Sequence, residues 1–140
     1  MKTWVHAVAS LILAAILYPI FGWKVLFVFA GGVFIDIDHY LWHIYKYRDF
    51  NIPNCYRFHM KNISKNDFRN VEGILLAFHT IEFLLIAVVL SFYIEIVLIS
   101  TIGLLLHYLL DLVWLYFVRG QFVSNHSIIH WIINSKSLNN

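Results

Sequence analysis

Four apolar runs, about residues 4–21, 23–40, 71–93 and 95–118, occupy most of this 140-residue chain and leave it few ways to fold. Backbone polar groups in hydrocarbon must be satisfied within the segment, which favours helices. A span needs roughly 20 residues at a rise of 1.5 Å each, and the first two runs just reach that length. With 61% hydrophobic and 13% charged residues, and a mean hydropathy of +0.73, the chain lies outside the usual soluble range. The expected fold is all-α: a polytopic membrane protein, a single domain (residues 1–140) built as a four-transmembrane-helix bundle. Pro19 and Gly22 predict a tight break between the first two spans, and Tyr93-Ile94-Glu95 a turn between the last two. The one long polar segment, 41–70, is read as a loop, with Ser64-Lys65-Asn66-Asp67 as a turn or helix cap. Beyond Gly120, Ser124 to Trp131 reads as a short amphipathic helix with Ile128, Ile129 and Ile132 towards the lipid.

The basic residues orient this arrangement. Lys2, Lys46, Arg48, Arg57, Lys61, Lys65, Arg69, Arg119 and Lys136 fall on one side of a four-span topology, and of the ten only Lys24 is opposite. The positive-inside rule then places both termini and the 41–70 loop in the cytoplasm, in the cell (inner) membrane. The run after Lys2 is followed by Tyr18-Pro19-Ile20-Phe21-Gly22-Trp23, which offers no small-residue cleavage pattern, so the first span is expected to be retained. A net charge of +2 with no basic cluster gives no reason to expect nucleic acid. The single Cys55 has no partner for an internal disulfide or a thiolate zinc site.

Ionisable residues inside apolar runs are costly unless paired, facing a cavity or bound to a metal. His79 and Glu82 lie at i, i+3, and His107 and Asp111 at i, i+4, so each pair projects from one helical face as a potential bidentate clip. Asp36-Ile37-Asp38-His39 closes the second run, and His6 stands near the start of the first. In the four-span topology all fall in the cytoplasmic half, His79 and Asp111 roughly 10–12 Å deep at the helical rise. Together they are the ligand types of a zinc, iron or manganese site. Each has a plainer reading. His107 can be a core histidine bonding a carbonyl, Asp111 can pair with Arg119, and Asp36 and Asp38 can cap the next helix. His43 reads as a loop surface residue, and His59, His126 and His130 as interfacial polar groups. Convergence at one depth favours the metal reading.

In this order the residues resemble the membrane-bound metal-dependent hydrolases, a family also described as LexA-binding, inner membrane-associated hydrolases. The matching elements are His6, then Asp36-Ile37-Asp38-His39, then His79-Thr80, then Gly103 through His107 to Asp111. The last is also similar to a metal-binding stretch of zinc-dependent phospholipase C proteins. The chain departs from the family in having Ile35 where a proline is usual, and Leu75-Leu76-Ala77-Phe78 lacks the family's second histidine. The resemblance implies a metal-dependent hydrolase with a divalent ion, zinc first and manganese or iron as alternatives. His39, His79, His107 and Asp111 are the expected ligands, Asp36 and His6 next, and Asp38 or Glu82 the expected general base. A phosphoester or lipid substrate and a lid function for 41–70 follow as expectations. Two rival readings are a haem protein with His79 and His107 as axial ligands, and a small transporter or structural protein, which as a transporter would need a homo-oligomer to form a path.

Overall fold

The computed structural model describes residues 1–64, 76–119, 127–129 and 132, and among these there are helices and turns but no strand. Helix α1 (Thr3–Phe21) carries Pro19 in its last turn and ends at Gly22, whose φ of 56° an L-residue rarely adopts. The chain reverses there into a 3-10 turn (Gly22–Phe27), followed by α2 (Val28–Gly32), a second 3-10 turn (Phe34–Asp36) and α3 (Ile37–Tyr47). Then come α4 (Ile52–Ser64), a 3-10 turn (Ala77–His79), α5 (Ile81–Ser91) and α6 (Glu95–Arg119). A tight turn through Phe92 and Tyr93 links the last two, close to the position expected from the sequence.

Helix α6 is the centre of the molecule, with α1, α2 and α5 packed against it. A small buried core of Ala14, Val25, Val28 and Ile99 sits between α1, α2 and α6. At one end Lys24 pairs with Glu95. His6 meets Asp111 towards the other. From Glu95 to His107 the axis of α6 advances about 18 Å. At Gly31 the backbones of α2 and α6 touch: a Cβ there would lie 1.9 Å from the Ser100 carbonyl oxygen and 2.7 Å from the Leu104 nitrogen.

The expected second span, 23–40, is not one continuous α-helix. After Gly31-Gly32 the Asp36 amide bonds the Val33 carbonyl at 3.2 Å, an i to i−3 bond that leaves the Gly32 carbonyl to other donors. The expected third span, 71–93, is α-helical only from Ile81, and 71–75 lie outside the described residues. Thr80 is the cap: its ψ is 151°, its hydroxyl accepts from the Phe83 amide, and it donates to the Ala77 carbonyl at 2.9 Å. His79 therefore sits on the turn before α5, not a third of the way along a helix.

The segment 41–70 is more ordered than a loop. Helix α3 runs to Tyr47, where Arg48 takes a left-handed φ of 54°, and α4 folds back on it. Cys55 is buried there, and Phe58 packs on Trp42, His43 and Tyr47. His43, expected at the surface, is only 4% exposed because α4 covers it. Residues 65–70, which include most of the expected Ser64–Asp67 cap, are outside the described set, as is most of the expected C-terminal amphipathic helix, of which Ile128 and Ile129 are helical.

The His59 ring lies between His39, Trp42 and Phe58, and burial pushes its pKa down to about 4, aided by the neighbouring His39. The unfolded histidine titrates near pH 6.5, so between about 6.5 and 4 the unfolded chain binds more protons and stability falls as pH falls. The thermal midpoint should therefore drop across that window, and His59→Leu should flatten the drop. Identical slopes for the two proteins would show that His59 is solvated.

Two stretches among the described residues are long and apolar enough to cross a membrane, one within Thr3–Tyr47 and one at Glu95–Phe117. Their side chains mostly face outward: only 17% and 28% of the two most apolar windows is buried. Leu11, Ile16, Ile20, Leu109 and Phe117 are all more than half exposed.

Candidate metal centre

The interrupted ladder at Gly32 creates the first half of the site. His107, fully buried on α6, donates from Nδ1 to the freed Gly32 carbonyl at 2.9 Å. A carbonyl oxygen only accepts, so this bond puts the ring proton on Nδ1 and leaves Nε2 with a bare lone pair in the neutral ring. The turn before α5 supplies the second half. His79 Nδ1 is 2.9 Å from Asp38 Oδ2, which also accepts from the Phe78 amide at 3.2 Å. In the neutral ring the His79 proton is likewise drawn to Nδ1, which leaves Nε2 with its lone pair.

The two Nε2 atoms face each other at 3.2 Å. Asp36 Oδ1 lies 3.6 Å from both, and Asp111 Oδ2 is 3.2 Å from His107 Nε2. Two lone pairs at that separation repel unless a proton or a cation lies between them. Atoms bonded at about 2.0–2.1 Å to one tetrahedral ion lie about 3.3 Å apart, so the His79, His107 and Asp36 atoms fit such an ion. Nitrogen and carboxylate oxygen suit zinc, iron and manganese. The carboxylate and carbonyl behind each ring are the partners that orient metal-binding histidines.

The cluster extends to both sides. His6 stacks on His107 with centroids 3.8 Å apart and planes 13° apart, and its Nε2 is 3.2 Å from Asp111 Oδ1. The same oxygen accepts from the Met1 ammonium. His6 Nδ1 and the Ser10 hydroxyl, one turn apart on α1, are buried without hydrogen-bond partners among the described residues. On the other side His39 Nδ1 bonds Asp38 Oδ1 at 2.9 Å and lies 4.0 Å from Asp36 Oδ1. Three overlapping groups could thus hold an ion: His6, His107 and Asp111; Asp36, His79 and His107; and Asp38, His39 and His79.

Seven of the eight residues singled out from the sequence fall in these groups, and Glu82 does not. Its carboxylate accepts from the Ser127 hydroxyl and from the amides of Ile128 and Ile129, which ties it to the C-terminal segment instead of to the histidines. Asp38, expected as a base, is 7% exposed with both oxygens bonded, and so orients two rings. Neither Asp36 nor Asp38 caps α3 through a side-chain bond. The sequence reading missed the Gly32 carbonyl, for which the Gly31-Gly32 pair inside an apolar run was the available signal. Compared with known protein families, curated proteins and solved structures, the chain shows no match.

Proposed function

We propose that this chain is a membrane-embedded, metal-dependent hydrolase of the family its motifs resemble, with its site opening towards the cytoplasmic face. The observation that carries the reading is the pair of Nε2 atoms of His79 and His107, held 3.2 Å apart with their Nδ1 protons committed elsewhere and Asp36 beside them. His79, His107 and Asp36 would hold the ion, with Asp111 and His6 alongside, and zinc is the first choice. A divalent ion there supplies Lewis acidity and activates water at neutral pH.

The protein's own groups supply the rest. Asp111 and Asp36 are 31% and 22% exposed, so the site reaches the surface where a phosphoester or acyl group can approach. His39 is the most exposed of the four clustered histidines, at 33%. With its Nδ1 proton given to Asp38, its Nε2 is free to take a proton from water, the role that a carboxylate-oriented histidine plays in hydrolases generally. His39 is therefore assigned here as proton acceptor and Asp38 as its orienting partner. Outward apolar faces on α1 and α6 support placement in a bilayer, where such surface is not penalised.

A haem fits poorly. The two Nε2 atoms are too close for a porphyrin plane between them. Metal analysis of detergent-purified protein, with a screen of phosphoester, lipid and peptide substrates, tests the proposal. About one equivalent of zinc, manganese or iron is expected, retained in Glu82→Gln. Wild-type protein that stays metal-free after zinc and manganese are supplied would end the hydrolase reading.

A further inference from the structure

Two residues on other helices bond the turn that carries His79. Asp38 holds the imidazole and the Phe78 amide from α3. From α6, the Tyr108 hydroxyl lies 3.0 Å from the Phe78 carbonyl and 2.9 Å from the Thr80 carbonyl. These carbonyls flank His79 in sequence. One hydroxyl proton shared between them ties the peptide that enters His79 to the one that leaves Thr80. The Tyr108 ring also lies beside the His79 ring, with centroids 6.1 Å apart. The turn needs such a clamp because it is a single 3-10 turn, bounded by Leu76 and Thr80 in extended conformations. Short turns of this kind have poor internal hydrogen-bond geometry.

We infer that Tyr108 is a positioning residue for His79, acting through the two carbonyls to aim Nε2 at His107 and Asp36. The inference rests on the metal reading for its consequence and on hydrogen-bond geometry for its content. Because Tyr108 follows His107 directly on α6, one short stretch of that helix both presents His107 and fixes His79. The distance between the two nitrogens is then set by a rigid element, not by the turn alone.

The test is Tyr108→Phe in the full chain, purified in detergent and loaded with Co²⁺. Co²⁺ should bind about tenfold more weakly, the lower end of what loss of an orienting group costs a metal site, and the visible absorption bands should change. In a His79→Ala background, adding Tyr108→Phe should weaken Co²⁺ no further, because the two residues act as one unit. Wild-type affinity and bands in Tyr108→Phe, or the same tenfold loss in both backgrounds, would overturn the inference. If the wild-type protein takes up no Co²⁺, the metal reading fails and ring ¹⁵N spectra of the metal-free protein decide. The wild type should then show one His79 ring state with Nδ1 protonated and Tyr108→Phe a mixture; unchanged spectra count against Tyr108. Should Tyr108→Phe not fold, hydroxyl exchange in the wild type decides. A slowly exchanging Tyr108 hydroxyl proton is expected, and a freely exchanging one overturns the inference.

Discussion

His107→Ala is expected to abolish metal binding and destabilise the protein at once. Its Nε2 meets three other groups of the cluster, from His79, Asp36 and Asp111, and it belongs to two of the three candidate groups. Losing an outer partner of a ligand typically costs 10–100-fold in affinity, so losing the ligand itself should cost more than about 100-fold. Stability should fall as well. The alanine leaves the Gly32 carbonyl without its ring donor, and an unsatisfied buried acceptor costs about 1–3 kcal/mol. It also removes the ring on which His6 stacks. Metal analysis and thermal unfolding in detergent check both effects together. His107→Gln separates them, since a side-chain amide can donate to the carbonyl without reproducing an imidazole ligand. A His107→Ala protein with wild-type metal content would remove the centre as drawn.

The second large effect is expected at a residue with no side chain. A Cβ on Gly31 meets backbone oxygen and nitrogen of α6 at 1.9 and 2.7 Å, and backbone cannot rotate away as a side-chain end can. Gly31→Ala must therefore push α2 and α6 apart by an ångström or more. Overpacking of this kind costs about 1–3 kcal/mol. It should also lower metal affinity, because the Gly32 carbonyl and Asp36 ride on the displaced segment while His107 and Asp111 stay on α6. Unfolding midpoint and zinc retention are the measurements. A variant as stable as the wild type would show that the two helices do not touch at Gly31.

The helical class of this chain, its break near Pro19 and Gly22 and its turn near Tyr93 follow from local chemistry. Apolar runs of this length, a ring that fixes φ, and a residue free to take positive φ act within a few positions of themselves. The nomination of His6, Asp36, His39, His79, His107 and Asp111 was local too, since charged and imidazole groups in apolar runs are rare and helical spacing says which of them share a face.

What the sequence could not show were the bonds that decide what each group does. The interruption after Gly32 falls where α6 comes close enough to touch Gly31; the Gly31-Gly32 pair marks the place but not which helix meets it. His79 reads as helical from its apolar neighbours, yet Thr80, Asp38 and Tyr108 hold it on a turn. Asp38 and Glu82 look alike as candidate bases. One is bonded to two rings of the cluster and the other to the amides of residues 128 and 129. Composition and spacing thus determined which elements form and which residues are costly to bury. Only packing decided which lone pairs meet, because a hydrogen-bond partner 40 or 75 residues away is chosen by how the helices sit against one another.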